Sequence, residues 1–290
     1  MIIPAFNHER SVAAAVHSAL VFDEVDEVIV IDDGSDDGTA AAVEGMTDPR
    51  VRLLRQANRG PGAARNAGAR LAASEHLVFL DADDVLMPGS VPLFVLQHGS
   101  GSPLVRTGAT RADSEGQERV YLAQASPFPY PRGAPLAGSF SMERSLFDSI
   151  GGYDEELRYG ENSELLLKAQ SELMNVGKSV AYRGESTVLV RVNPAHDVHH
   201  YRERRLAAIE RMFCVHRREL ASDLETRHNH HAIASVLYQQ EGERSMARRH
   251  GWAALRLRPL SVRSWGRLAR AIVKPPTPVP PHGGVNDDAS

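Results

Sequence analysis

Short apolar runs alternate with amphipathic segments along the first hundred residues of the chain. Four runs are bounded by polar residues and are typical of buried strands, namely 2–4, 27–31, 51–54 and 77–80. Between them, apolar residues recur at helical spacing, as at Val12, Val16 and Leu20, and helices are also predicted from Thr39 and over 63–73. Strands that alternate with helices predict an α/β fold with a doubly wound, mostly parallel sheet flanked by helices.

Polar side chains follow three of the four predicted strands, at the point where each strand ends. They are Asn7 and Glu9 after the first strand, Asp32 and Asp33 after the second, and Asp81 and Asp83 after the fourth. In open parallel sheets, ligands bind beyond the carboxyl ends of the strands. We therefore expect one crevice to collect polar groups from three strands.

The run Asp81-Ala82-Asp83-Asp84 places three carboxylates within four residues. Such neighbours repel one another unless a cation lies among them. Carboxylate oxygens suit a hard divalent ion, Mg²⁺ or Mn²⁺, which can in turn hold a diphosphate. The alternative is an acidic turn that caps the next helix, because Asp-rich turns are common.

Four sequence runs, at residues 2–7, 28–35, 58–66 and 79–84, occur in an order and at a spacing that resemble the family 2 glycosyltransferases. The resemblance continues at 151–155 and 160–165 and covers residues 1–195. It implies a GT-A fold with a nucleotide-sugar half over 1–100 and an acceptor half over 101–195. A helical extension over 196–273 and a disordered tail over 274–290 are expected to follow, because the tail is rich in Pro and Gly and then polar.

The resemblance also implies an activity and a set of roles. The family transfers sugar with inversion from a nucleoside-diphosphate sugar, with a leaning to uridine, to a hydroxyl acceptor in polysaccharide, glycolipid or other glycoconjugate synthesis. The implied donor-binding residues are Pro4, Asn7, Glu9, Asp32, Asp33, Arg65 and Asp81. Asp83, with Asp81, is implied as the ligand of a divalent metal that stabilises the leaving diphosphate.

The chain departs from the family pattern at the general base. The family base is usually the Asp of a Glu-Asp pair, and here the pair is Glu161-Asn162. An amide has no useful basicity, so Glu161 or Glu164, one helical turn further on, is the candidate for this role. The departure also motivates an alternative, a catalytically impaired nucleotide-sugar-binding or scaffold protein with the same fold.

A second departure lies at residues 190–194, where a metal-reaching His of the family is replaced by Asn193. His196 or His199 could supply the missing ligand after a small shift of register. The alternative is a solvated helix start with Asp197 in its first turn.

The C-terminal part of the chain is basic, although the formal net charge of the whole chain is −4. Residues 244–274 hold nine basic side chains and no acidic one, interleaved with apolar residues that include Trp252 and Trp265. This pattern favours contact with an anionic membrane surface, or a helical hairpin packed on the catalytic domain. Nucleic acid is not expected as a partner, since no binding motif accompanies the arginines. The histidines at 228, 230 and 231 are expected on the surface.

No apolar run approaches the length of about 18–20 residues that a membrane-spanning helix needs. Neither a basic leader nor an apolar leader precedes the first predicted strand. We therefore expect a cytoplasmic enzyme, peripheral to the inner face of the membrane, whose acceptor could be lipid-linked.

Overall fold

A computed structural model describes residues 1–112, 115–133, 135–191 and 198–273, which belong to two compact units, Met1–Asp223 and the part from Leu224 onward. The strands are β1 (Ile2–Ala5), β2 (Val28–Asp32), β3 (Val51–Arg55), β4 (His76–Val78), β5 (Val85–Leu86), β6 (Leu104–Ala112), β7 (Glu118–Tyr121), β8 (Phe140–Glu143) and β9 (Ala181–Arg191). The helices of the first unit are α1 (Val12–Leu20), α2 (Thr39–Glu44), α3 (Pro61–Leu71), α4 (Ser90–Gly99), α5 (Arg144–Ser149), α6 (Glu161–Asn175) and α7 (Val198–Val215). The second unit contains α8 (Leu224–Gln240), α9 (Arg244–Leu257) and α10 (Val262–Val273).

Strand β2 is apolar on both faces because helices cover both faces of the first sheet. Val28 and Val30 belong to the core that includes α1, whereas Ile29 and Ile31 pack against alanines of α3. All five residues of β2 are buried. A strand buried on both faces forms a continuous apolar run, which is why the sequence pattern located it.

The first sheet has the order β1-β2-β3 and is parallel throughout. The second sheet has the order β4-β8-β6-β9-β5, with β7 paired to β6. Parallel pairing there is limited to β6 with β9, and the other pairs are antiparallel. Ile2 forms a parallel bridge with Phe79, so β1 lies beside the end of β4. The predicted α/β fold is confirmed, and the antiparallel pairs are confined to the second sheet.

The fourth predicted strand ends earlier than its apolar run. Pairing with β8 covers only His76–Val78, yet Phe79 and Leu80 are fully buried, and the Leu80 N–H donates to the Ile2 carbonyl at 3.0 Å. The run therefore delivers Asp81 to the edge of the sheet, as the sequence predicts. The expected boundary at residue 195 and His196 lie outside the described residues, as does the predicted tail.

Helix α3 packs closely on the first sheet because small residues, namely Ala64, Ala67 and Gly68, face that sheet. Pro61 occupies its first turn, where the missing N–H costs no hydrogen bond. A Cβ at Gly68 would lie 2.5 Å from Cγ2 of Ile2, which is too close for two carbon atoms. Gly68 therefore sets the distance between α3 and the first strand.

In the second unit, α8, α9 and α10 pack against one another. The expectation that His228, His230 and His231 form a surface cluster is wrong for His228, which is buried, with its Nε2 2.8 Å from Ser264 Oγ. His230 and His231 are half-buried. The Nδ1 atoms of His231 and His250 lie 3.0 Å apart, and burial, followed by the charge of His250, lowers the pKa of His231 from 6.5 to about 4.

Among the described residues, no helix combines the length and the apolar character that crossing a bilayer requires.

Gly68→Ala should destabilise the first unit by about 1–3 kcal/mol, because the added methyl group forces α3 away from β1. Gly99→Ala is the matched control, since a Cβ at this last position of α4 meets no atom within 4 Å. The measurement is urea unfolding followed by circular dichroism. Equal unfolding midpoints for the two variants would contradict the close approach.

The second unit should lose stability as the pH falls from about 6.5 to about 4. Between these pH values His231 is protonated in the unfolded chain but stays neutral in the folded form. The stability that comes from the lowered pKa of His231 is therefore fully present above about pH 6.5 and is lost as the pH falls toward about 4. Both tryptophans of the chain, Trp252 and Trp265, lie in this unit, so tryptophan fluorescence during urea unfolding reports on it. His231→Gln should flatten the pH dependence, and His17→Gln, at an exposed position of α1, should leave it intact.

Candidate active site

The carboxyl ends of β1 and β2 and the segment after Leu80 lie side by side at one edge of the first sheet. Pro4 is half-buried within β1 and lies opposite Ile31 in the register of β1 and β2. The predicted residues that this arrangement brings to the edge are Pro4, Asn7, Glu9, Asp32, Asp33, Asp81 and Asp83. Their grouping follows from parallel pairing, as expected from the sequence.

The loops after β1 and β2 are joined by hydrogen bonds. Asn7 adopts a left-handed backbone with φ 59°, which Asn tolerates better than most residues. Its N–H donates to Ser35 Oγ at 3.0 Å, and its Oδ1 accepts the Asp36 N–H at 3.1 Å. Glu9 Oε2 accepts the Gly38 N–H at 3.0 Å. The two loops are therefore held together at this edge of the sheet.

Asp33 organises the turn that leads into α3. Its carboxylate accepts hydrogen bonds from Gln56 Nε2 at 2.7 Å, from the Arg59 N–H at 2.9 Å and from the Gly60 N–H at 2.6 Å. Gly60 has φ 87°, and a Cβ there would overlap the Arg158 guanidinium. The 56–60 turn is thus fixed from both sides.

Asp32 is fully buried, and its carboxylate is satisfied by protein donors. The Ser35 N–H donates to Oδ1 at 2.9 Å, and Arg55 Nε donates to Oδ2 at 2.9 Å. The Asp32 carboxylate, which the sequence predicts to bind the donor, is therefore already paired with Arg55 and the Ser35 backbone.

A buried guanidinium links the donor side of the site to the predicted acceptor side. The Arg65 side chain is 2% exposed; one terminal nitrogen donates to Asp81 Oδ1 at 2.5 Å and the other to Glu161 Oε1 at 2.9 Å. Its guanidinium also lies 5.2 Å from the centre of the Tyr153 ring. Although burial alone would lower it, the charges of Asp81 and Glu161 raise the pKa of Arg65.

The three candidates for the base step occupy different environments at the start of α6. The Glu161 side chain is 14% exposed, and no described residue donates to its Oε2. Asn162 is buried and accepts the Tyr153 hydroxyl at 2.9 Å. Glu164 is buried, with His216 Nε2 2.9 Å from Oε1 and Lys168 Nζ 3.2 Å from Oε2. Glu161 is thus partly accessible to solvent whereas Glu164 is not, a difference that their spacing in the sequence does not show.

The segment 151–156 is anchored by residues that sequence reasoning did not connect. Asn66 exchanges two hydrogen bonds with the backbone of Tyr153, at 2.9 and 2.8 Å, and donates to Glu155 Oε1 at 3.1 Å. Arg211 of α7 pairs with Asp154 on the same segment at 2.5 Å. The runs 58–66 and 151–155 each carried a motif, but nothing in the sequence indicated their contact. Arg211 and His216 carried no motif.

The candidate metal ligands Asp81 and Asp83 are half-buried at the edge of the sheet. Burial, followed by the charges of Asp81 and Asp83, raises the pKa of the neighbouring Asp84 to about 9. Within the described ranges, no group of three or more His, Cys, Asp or Glu side chains is arranged to hold a metal ion. Two carboxylates still fit Mg²⁺, which commonly takes one or two carboxylates and completes its shell with phosphates and water.

Comparison with known proteins agrees with this fold. The family described as Glycosyl transferase family 2 matches residues 1–153. The chain therefore belongs to glycosyl transferase family 2.

Two curated relatives come from Rhizobium meliloti (strain 1021). Succinoglycan biosynthesis protein ExoO is 44% identical over 89 residues, which are 30% of this chain and 26% of that protein. Succinoglycan biosynthesis protein ExoU is 30% identical over 219 residues, which are 64% of this chain and 62% of that protein. The chain thus spans less than two thirds of the length of either relative.

Among solved structures, the crystal structure of S. aureus TarS 1-349 is similar in fold, with a TM-score of 0.56 at 16% identity over 93% of this chain and 88% of that chain. TarS 1-349 has also been solved in complex with UDP and with UDP-GlcNAc, and these structures match with TM-scores of 0.53 and 0.52. The likeness confirms the GT-A type fold.

Arg65→Met should lower the free energy of unfolding by about 3 kcal/mol, because it leaves the carboxylates of Asp81 and Glu161 without their shared partner. Arg59→Met is the matched control, since the Arg59 side chain is 57% exposed in its pair with Glu155 and such pairs contribute about 1 kcal/mol or less. Urea unfolding measures both variants. Equal losses would show that the Arg65 bridge contributes no more than a surface ion pair.

Proposed function

We propose that the protein transfers a sugar from a nucleoside-diphosphate sugar, with UDP as the nucleotide, to a hydroxyl acceptor, with inversion at the anomeric carbon. The observation that carries the proposal is the Arg65 bridge between Asp81 and Glu161 in a chain of this family. It brings a carboxylate at the edge of the sheet to a carboxylate at the start of α6. The TarS complexes with UDP and UDP-GlcNAc support this choice of donor.

The donor is proposed to bind over the loops after β1 and β2. Asn7 and Glu9 would line the nucleoside side of the crevice, and Asp33 would hold the 56–60 turn beneath it. Arg65 acts from below as a positioning residue, since its side chain is almost entirely buried. Pro4 and Asp32 would support the floor of the crevice rather than contact the sugar.

Asp83, together with Asp81, is proposed to hold a divalent cation, Mg²⁺ or Mn²⁺. When bound, such an ion neutralises charge on the diphosphate as it leaves. The support is the donor set itself, two carboxylates at the edge of the sheet. His196 remains a candidate further ligand by sequence alone, since it lies outside the described residues.

Glu161 is proposed as the general base. In the transfer, the acceptor oxygen forms a bond to the anomeric carbon while the bond from that carbon to the diphosphate oxygen breaks. The acceptor proton passes to the base, and the bonding electrons leave with the diphosphate. Oε1 of Glu161 is held by Arg65, and Oε2, to which no described residue donates, would take the proton. Glu164 is better suited to positioning α6, because His216 and Lys168 cover it.

The acceptor is proposed to be a hydroxyl of a growing polysaccharide or glycolipid, in line with the succinoglycan biosynthesis proteins among the relatives. We place the reaction in the cytoplasm, at the inner face of the membrane, where lipid-linked acceptors lie.

A second candidate function, nucleotide-sugar binding without efficient transfer, is favoured by one observation. Asn162 stands where the family base is usual, and its Oδ1 already accepts the Tyr153 hydroxyl. In this case the fold and donor site are retained while the base step is impaired.

Calorimetric titration with UDP-sugars, in Mn²⁺ and in chelator, together with a transfer assay, separates these functions. Asp83→Ala should lose metal-dependent binding. Glu161→Gln should keep donor binding and lose transfer by about 10²–10⁴-fold, the usual contribution of a general base. Glu172→Gln, further along α6, is the matched control and should change neither property.

The second candidate function would be favoured if both the wild type and Glu161→Gln bind the donor but transfer sugar to no acceptor. A large gain in transfer by Asn162→Asp would support impairment at that position. If no nucleotide binds under any condition, the proposed donor site is wrong.

A further inference from the structure

Both tryptophans of the chain lie on the surface of the second unit, in contact with each other. Trp252 of α9 and Trp265 of α10 are each about half exposed, and their ring centres are 6.5 Å apart in an edge-to-face arrangement. Trp265 Nε1 donates to the Pro259 carbonyl at 2.9 Å, which holds the indole against the turn between the helices. Leu260, in that turn, is 95% exposed. Three large apolar side chains thus face solvent on neighbouring parts of one surface, where such groups commonly mark a binding site.

The charges around these side chains have a single sign. The sequence from 244 to 273 contains eight arginines and no acidic residue. The exposed ones with described side chains are Arg244, Arg248, Arg249, Arg256, Arg258 and Arg263. Arg248 and Arg256 lie one turn before and one turn after Trp252, so all three share a face of α9. Arg263 lies in the first turn of α10, two residues from Trp265.

These arginines are poorly neutralised within the fold. Arg258 lies 3.8 Å from Glu225, and both side chains are about half exposed, which makes the pair weak. Within the second unit as described, no carboxylate lies at ion-pair distance from Arg248, Arg256 or Arg263. The surface of Trp252, Leu260, Trp265 and these three arginines, the Trp–Arg surface, therefore has positive charge available for an anionic partner.

We propose that the Trp–Arg surface docks onto an anionic phospholipid surface. The indoles and Leu260 would enter the boundary between headgroups and acyl chains, where tryptophan is enriched, and the arginines would meet the lipid phosphates. Charge complementarity and the adjacent apolar groups together favour this partner. A nucleic acid would satisfy the arginines but would leave Leu260 in water.

Docking at lipid would concentrate the first unit at the membrane, where a lipid-linked acceptor is found. This consequence rests on the proposed transferase function, whereas the docking itself does not. Vesicle binding can therefore fail while transfer to a soluble acceptor succeeds, and the reverse is equally observable.

The test uses the full chain and vesicles of phosphatidylcholine alone or mixed with phosphatidylglycerol, some carrying brominated acyl chains. Because the two surface tryptophans are the only ones in the chain, the fluorescence reports directly on the proposed contact. We expect a blue shift and quenching by bromolipid with the anionic vesicles, and little change with the neutral ones. Raising the salt to about 1 M, where the Debye length falls to about 3 Å, should weaken the binding.

Combined Arg248→Gln, Arg256→Gln and Arg263→Gln should weaken partitioning into anionic vesicles on the order of 100-fold, from the usual contribution of each basic side chain near such a surface. The matched control removes the same charge at exposed positions of the first unit, with Arg70→Gln, Arg119→Gln and Lys178→Gln combined. The control should bind within a few-fold of wild type.

Leu260→Ser gives a second test and should leave the folded structure intact, because this side chain is almost fully exposed. It should reduce partitioning on the order of 10-fold through lost apolar burial. Equal binding to neutral vesicles, equal losses in the two triple variants, or cosedimentation without bromolipid quenching would each overturn the proposal. So would displacement of the vesicles by duplex RNA at equal phosphate concentration.

Discussion

A guanidinium that is cut off from water needs acceptors within the protein, and both terminal nitrogens of Arg65 find them in carboxylates from distant parts of the chain. Asp81 lies 16 residues away and Glu161 lies 96 residues away. Leaving such a charge unpaired costs several kcal/mol, so α3, the end of the fourth apolar run and the start of α6 are bound to one another. The Tyr153 ring against the guanidinium adds the loop before α6 to the same group. The relative placement of donor side and acceptor side follows from this one cation.

The acceptor side is assembled by further contacts of the same type. Asn66, next to Arg65 in the sequence, holds the backbone of Tyr153, and Arg211 holds Asp154 on the other side. Glu164 is covered by His216, which follows α7. Helix α6 therefore begins between two supports, and its first residue, Glu161, is more exposed than the buried Glu164, with 14% of its side chain accessible against 3%. An enzyme that must place a base within reach of an acceptor benefits from such support, because small displacements are costly to catalysis.

The second unit has an apolar core that includes Leu237, Leu255 and Leu268, but it also buries imidazoles and exposes large apolar side chains. His228 is buried among the helices, and His231 contacts the buried His250. Both tryptophans and Leu260, in contrast, are exposed to solvent. Small residues of α8, such as Ala232 and Ser235, are buried in the same helix as His228. Exposure of these apolar side chains to water is unfavourable in free energy, and burial in a lipid surface would remove this unfavourable contribution.

The main strands and helices of residues 1–80, the grouping of polar residues at the strand ends and the family all follow from the sequence alone. These features depend on local periodicity and on contiguous motifs, which a single sequence displays. Tertiary structure decided which glutamate is accessible, because Glu164 is covered by His216, which is 52 residues away, and Glu161 is held by Arg65. It also decided the partner of Asn162 and the antiparallel pairs of β8. Apart from the bond between Asn162 and Tyr153, which are nine residues apart, these features depend on contacts between distant segments, and no local pattern of residues encodes which distant group arrives.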